Sequence, residues 1–403
     1  MTNFNLFSDL IHLNFNIPLP HILLPLALSF VTFQQIAFLC DCYNAKNKDD
    51  ISIDFIDYAL FILFFPQLIA GPIVHHREMM PQFSKILKNK SLIAYEYMAK
   101  GLFIFSIGLF KKVCIADSFA KWADTGFGVV ESGYSLNTIE SWATSLSYTF
   151  QLYFDFSGYC DMAIGLGLLF GIMLPANFNS PYKALNITDF WRRWHITLGR
   201  FLKNYLYIPL GGNKNNKYRN DKNCMFINKI LTLRNLFIVA FISGIWHGAG
   251  YGFVIWGILH GIAMITHRTY RFILESKNLT KAKFLQSRFY KLLCLFITFN
   301  FVNIAWIFFR SENVGGAIRL LEGMINPLDT NQITKAINNI NMIGNMTFII
   351  VAFIIVFAFK NSIDLINDFK PKLKILIASS MMFYISIFTI SMSKITKFLY
   401  FNF

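Results

Sequence analysis

The stretch FISGIWHGAGYGFVIWGILHG, residues 241–261, is apolar enough to enter a bilayer and yet carries two histidines, His247 and His260. Its glycines recur at four-residue intervals, Gly244, Gly248 and Gly252, and again at Gly257 and Gly261. Four-residue spacing lines small residues along one side of a helix, where a second backbone can come close. A charged side chain at bilayer depth costs roughly 2.5 kcal/mol or more, so an ionisable residue placed there is a functional candidate. The rest of the chain reads as the scaffold that holds His247 inside a membrane.

Composition supports that reading. Of 403 residues, 55% are hydrophobic, 45 of them phenylalanine, and apolar runs recur from end to end. This is the pattern of an all-α, polytopic integral membrane protein. The net charge of +15 comes from Lys and Arg in short segments between the apolar runs. That distribution suits cytoplasmic loops beside anionic headgroups of membrane lipid and argues against nucleic acid. The six cysteines (Cys40, Cys42, Cys114, Cys160, Cys224 and Cys294) lack the spacing of a metal-binding pair. They read as small buried hydrophobes, and no metal is expected.

Taken in order, residues 1–16 form a mixed lead-in without a cleavable signal pattern. Apolar spans follow near 17–40 and 55–74, the second interrupted by Pro66 and by Gly71-Pro72. A basic loop over 75–95 precedes a span near 97–116, whose Lys111 and Lys112 are expected to snorkel to the surface. Residues 117–140 read as a polar connection, and 141–174 as two shorter helices meeting at FDFSGYCDMAIG, where Asp155 and Asp161 interrupt the apolar run. ITDFWRRWHITLGRFLKNYLYIPL (187–210) places its aromatic and aliphatic residues within an arc of about 120° and its arginines opposite, as in an amphipathic helix lying on a membrane surface. His195 falls at the border of the two faces. A basic loop (211–229) leads to spans near 230–245 and 248–266. A second basic segment (267–291), a span near 292–309, a connection (311–346) and spans near 347–359 and 374–392 complete the chain. This gives about nine apolar segments, some re-entrant.

Signatures of serine hydrolysis, phosphate-loop NTP use and helix-borne zinc proteolysis are absent. What remains is an intramembrane histidine and a second one among tryptophans and arginines. A neutral imidazole can take the proton from a hydroxyl as that hydroxyl attacks an acyl carbonyl, a step worth roughly 10²–10⁴ in rate. Trp246 and its glycines can shape a narrow passage for the acyl donor. On residues alone, two readings of His247 stay open: this base, or a structural histidine bonded to a neighbouring helix. His260, one helical turn beyond Trp256, reads as structural. Asp155 and Asp161 read as backbone-bonding acids at a helix break, and Arg192 and Arg193 as headgroup contacts with substrate binding as the alternative.

Four segments then match a known pattern in order: FFPQLIAGPIV (64–74), YFDFSGYCDMAIGLGLLFGIMLPANFNSPY (153–182), FWRRWHITLGRFLKNYLYIPLGGNK (190–214) and GIWHGAGYGFVIWGILHG (244–261). Together they closely resemble the membrane-bound O-acyltransferase family, in the branch that O-acetylates alginate and peptidoglycan. The resemblance implies a ring of transmembrane and re-entrant helices around a central funnel or tunnel, in one domain over 1–403. It implies as donor an acyl thioester from the cytoplasm, acetyl-CoA or an acyl-carrier pantetheine, and as acceptor an exported polysaccharide. It further implies a periplasmic esterase-like partner and a place in the bacterial inner membrane. The family's WHG histidine maps onto His247 and its RRWH histidine onto His195. Asp155, Asp161, Arg192, Arg193, Trp194 and Trp246 fall around them as tunnel or substrate support. Relatives carry further hydrophobic segments before the part matching LPLALSFVTFQ (24–34), so the family's first helices are expected to be missing here. The competing function is a conduit that passes an acyl group or small solute without transferring it.

Overall fold

The computed structural model describes residues 28–45, 54–69, 71–88, 95–213, 224–326, 340–392 and 399, and these are helical with no strand among them. The lead-in over 1–16 and most of the basic loop over 211–229 lie outside the described residues.

Helix α1 (Leu28–Asn44) is followed by α2 (Phe55–Leu63), which stops at Phe64 before a single turn, Phe65–Leu68, with Pro66 in its first positions. Part of the loop expected over 75–95 is instead helix α3 (His76–Lys88). Helix α4 (Tyr95–Phe110) widens into a π-helical turn, Lys111–Ala116, and continues as α5 (Asp117–Glu131). The polar connection expected from residue 117 is therefore mostly helix. Its glycines and charges obscure a buried stripe at Phe119, Ala123, Phe127 and Val130, spaced three and four residues apart.

Helix α6 (Thr138–Leu169) is the central strut. Asn137 and Glu140 form a reciprocal capping box at its start. Its 32 residues run unbroken through FDFSGYCDMAIG, correcting the expected break. The acids that suggested the break are matched by lysines of the preceding π-helical turn instead. Glycines let α4 lie directly on α6. A Cβ on Gly108 would sit 2.5 Å from the Gly158 carbonyl oxygen, and one on Gly101 would sit 2.7 Å from that of Gly165. The two pairs are reciprocal and seven residues apart on each helix, the close backbone packing that small residues permit in membranes. Two clusters of buried side chains flank α6, one with Phe150, Phe154 and Trp306, the other with Ile164, Leu168 and Phe103.

The expected surface helix over 187–210 is not a single helix. It divides into α7 (Ile187–Arg193) and α8 (Ile196–Leu202), followed by a second π-helical turn, Lys203–Tyr207. Its aromatic face enters the protein core rather than lipid: Phe190, Trp194, Leu198 and Phe201 are all buried. Then come α9 (Cys224–His247), α10 (Tyr251–Ser276), α11 (Arg288–Arg310), α12 (Val314–Ile325), α13 (Ile340–Ala358), α14 (Ser362–Asn367) and α15 (Leu373–Met392). Helix α10 carries the expected span through to residue 276 and so takes up part of the second basic segment. Helix α12 fills part of the expected connection. Among the described residues, α9, α11 and α15 are long and apolar enough to cross a membrane.

Candidate active site

His247 is the last residue of α9, and the chain turns over residues 248–250 into α10. The stretch that opened the sequence analysis is thus a helical hairpin. Its glycines serve the two arms rather than one continuous face. A Cβ on Gly244 would lie 2.5 Å from the Phe253 carbonyl oxygen and 2.9 Å from Gly257 Cα, so the arms touch backbone to backbone. This contact fixes where α9 ends and hence where His247 stands. The imidazole is buried, with the ring of Trp246 at 4.7 Å, the edge of Trp256 at 5.3 Å and Phe309 at 5.0 Å.

His195 occupies the joint between α7 and α8 and has a left-handed backbone, φ 45. A non-glycine residue held there costs of order 1–3 kcal/mol, so its surroundings must enforce it. They do so through Asn177. The Asn177 side-chain oxygen accepts from Thr197 N at 3.1 Å and Thr197 Oγ1 at 2.9 Å, and it faces His195 Nδ1 at 3.2 Å. Backbone bonds from Ile196 N to the Asn177 carbonyl and from Asn179 N to the Arg193 carbonyl pin the same two segments together. The result is an imidazole only 1% exposed, fixed between the ring of Phe30 at 6.5 Å and the edge of Phe156 at 4.8 Å.

The two histidines flank one aromatic wall. Phe30 of α1 stacks near His195 and lies 6.2 Å from Trp246, whose ring neighbours His247. Phe33, one turn further on α1, lies 5.0 Å from Trp246. His195 and His247, 52 residues apart in sequence, are gathered here by α1 and by the α7–α8 joint.

The remaining candidates divide. His260 is wholly buried and accepts a hydrogen bond from Trp191 Nε1 at 3.2 Å. Trp194 is buried between Phe178 and Trp306, both at 5.0 Å. Arg193 pairs with Asp189 at 2.9 Å, one turn earlier, and Arg192 is exposed. Asp155 takes Lys112 Nζ at 2.7 Å on one oxygen and the Leu399 amide at 3.1 Å on the other. Asp161 takes Lys111 Nζ at 2.7 Å and the Ser362 hydroxyl at 2.5 Å. Lys112 also meets Asp117 at 2.6 Å. The lysines expected to snorkel instead form buried pairs, because the π-helical turn aims both of them at α6. Sequence reasoning missed Asn177, Thr197 and Phe30. Asn177 and Thr197 do lie inside the motifs quoted above, but only the fold shows what they touch.

Residues 21–308 match the model of the membrane-bound O-acyltransferase family. The chain belongs to that family. It is 47% identical to a peptidoglycan O-acetyltransferase of Helicobacter pylori, over 95% of this chain and 75% of that protein. It is 38% identical to a probable alginate O-acetylase of Pseudomonas aeruginosa, over 85% of this chain and 59% of the relative. A teichoic acid D-alanyltransferase of Bacillus subtilis is 28% identical over 73% of this chain and 70% of its own length. The chain is accordingly a membrane O-acyltransferase. The acyl-transferring relatives do not favour the conduit alternative, since each is named for a transfer reaction.

Proposed function

We propose that the protein is a bacterial cell-membrane O-acetyltransferase that carries acetyl from a cytoplasmic thioester to a hydroxyl of an exported wall polysaccharide. Peptidoglycan is the first acceptor to test, given the 47% identity to a peptidoglycan-acting relative over almost the whole chain. The observation that carries the chemistry is His247, buried at a helix end and walled by aromatic rings, with His195 across the same wall. On this reading the neutral His247 imidazole accepts the proton of the acceptor hydroxyl as its oxygen bonds to the thioester carbonyl carbon. The carbon–sulfur bond then breaks, and the imidazolium returns the proton to the departing thiolate. His195 lines the passage, and Trp246 bounds it. Acetyl-CoA and an acyl-carrier pantetheine present the same thioester arm, and either satisfies this scheme. A central tunnel between helices would bring that arm to the wall, and a periplasmic esterase-like partner would present the acceptor hydroxyl from outside.

The test is His247→Ala expressed in cells that lack the native protein. Ester-linked acetate released from purified wall polymer by mild base should fall by roughly 10²-fold or more if the imidazole is the base. Wild-type acetate levels, with the variant inserted and folded, would sink the catalytic assignment.

A further inference from the structure

No metal is expected from the sequence, yet the fold gathers three metal-ligating side chains away from the histidine wall. Asp41, near the C-terminal end of α1, meets His75 and His76 at the start of α3, and their ligand atoms all lie within 4.8 Å of one another. His75 Nε2 is 3.2 Å and His76 Nδ1 3.9 Å from the same oxygen, Asp41 Oδ2. Ligand atoms about 2.0–2.1 Å from a tetrahedral zinc stand roughly 3.3 Å apart, so the three must draw together, the widest gap from as much as 4.8 Å, to share one ion.

Two further observations point to a ligand. His76 is 8% exposed, and its buried Nδ1, aimed at Asp41, has no hydrogen-bond partner among the described residues. Buried polar nitrogens without partners are rare and need an explanation. In addition, the other oxygen of Asp41 is already fixed: Tyr205 donates its hydroxyl to Asp41 Oδ1 at 3.0 Å, and the same hydroxyl oxygen stands 2.5 Å from His75 Nε2, whose N–H it accepts until an ion displaces that proton. A carboxylate oriented through its second oxygen is the outer support that metal-binding carboxylates usually have.

The surrounding charges permit an ion. Arg77 Nε lies 3.6 Å from Asp41 Oδ2, but its side chain is 69% exposed and can turn to solvent. Arg200 is engaged by Glu78. Both imidazoles lie outside the three candidate spanning helices, and a metal takes the neutral imidazole.

We propose that Asp41 Oδ2, His75 Nε2 and His76 Nδ1 bind a zinc-type divalent transition-metal ion that clips α1 to the turn before α3. Two imidazoles and one carboxylate suit zinc and leave a fourth position for water. The ion would act as a structural clasp. Ile73, two residues before His75, donates its amide to Thr197 Oγ1 at 3.0 Å, and Thr197 in turn bonds Asn177, which faces His195. Fastening the turn at 75–76 therefore fastens the segment on which the His195 pocket rests.

The full chain, purified in detergent with a tag free of histidine and stripped with chelator, provides the test. Added ZnCl2 should raise its melting temperature and bind at close to one ion per chain, while MgCl2 does neither. CoCl2 should produce the visible d–d absorption of a tetrahedral site. The double variant His75→Ala/His76→Ala, and separately Asp41→Asn, should lose the zinc-dependent shift and the cobalt bands. A stripped wild-type protein that shows neither the zinc shift nor the cobalt bands overturns the proposal, whatever the variants do. Retention of both signals in a folded double variant overturns the ligand assignment. None of these readouts depends on acetyl transfer, so failure here is separate from failure of the proposed reaction.

Discussion

At the scale of single residues, the histidines separate by what surrounds them. The left-handed backbone of His195 means that a substitution there can fail for two reasons: loss of the imidazole or inability to hold φ 45. Asparagine tolerates that conformation better than other non-glycine residues, so His195→Asn isolates the first reason. We expect His195→Asn to keep the wild-type melting temperature within a few degrees while wall-bound acetate falls. Unchanged acetate in that variant would remove the imidazole from the reaction. His260 makes the opposite case. Its Nδ1 accepts from half-buried Trp191, and removing one partner of a buried bond costs about 1–3 kcal/mol, which sets an upper bound here. His260→Phe should lower thermal stability by that order yet leave acetylation per folded molecule nearly unchanged. A folded, inactive His260→Phe would overturn its supporting role. Residue types in the sequence sufficed to nominate these histidines. They could not show that Asn177 and Thr197 shape the backbone of His195, because those contacts form only when residues 177 and 197 fold together.

At the scale of elements, the positions and rough lengths of the long apolar helices were legible, because twenty or so apolar residues have few other uses. The places where the reading failed share a physical cause, namely buried charge read from one segment at a time. Asp155 and Asp161 look like breaks in an apolar run, and Lys111 and Lys112 look like an exit from the membrane. Each reading is reasonable alone, but the lysines pair with both acids, and Lys112 with Asp117 as well, across α6 and the π-helical turn. Breaking such a pair leaves an uncompensated buried charge, at about 3–5 kcal/mol, whereas replacing both members can be close to neutral. Lys112→Met should therefore destabilise the protein strongly in thermal unfolding. Adding Asp155→Asn to it should recover part of the loss, the rest staying with Asp117, which also loses its lysine. A double variant no more stable than Lys112→Met would mean that the pair does not hold α6 in place. The break at Trp194-His195 escaped notice for a related reason. The amphipathic pattern over 187–210 continues across it, and the core accepts the apolar face on both sides.

At the scale of the whole molecule, the question is which side of the membrane His247 serves. Helix α9 runs 24 residues, roughly 36 Å against a hydrocarbon core of about 30 Å, and His247 is its last residue. The loop entering the other end carries Lys214, Lys217, Arg219 and Lys222. Short basic loops stay in the cytoplasm, which would place the 248–250 turn towards the opposite face, where an exported acceptor is found. Ala249 is exposed in that turn and can report on it. In a background without the six native cysteines, Ala249→Cys should react with a membrane-impermeant maleimide added to intact spheroplasts. Asn223→Cys, in the loop leading into α9, should react only after permeabilisation. The reverse pattern would put His247 near the cytoplasmic face, so that the acceptor rather than the thioester would have to travel through the protein. Equal labelling of both positions in intact spheroplasts would show that α9 does not cross the membrane. That result would remove the reason for assigning donor and acceptor to opposite ends of the helix that carries His247.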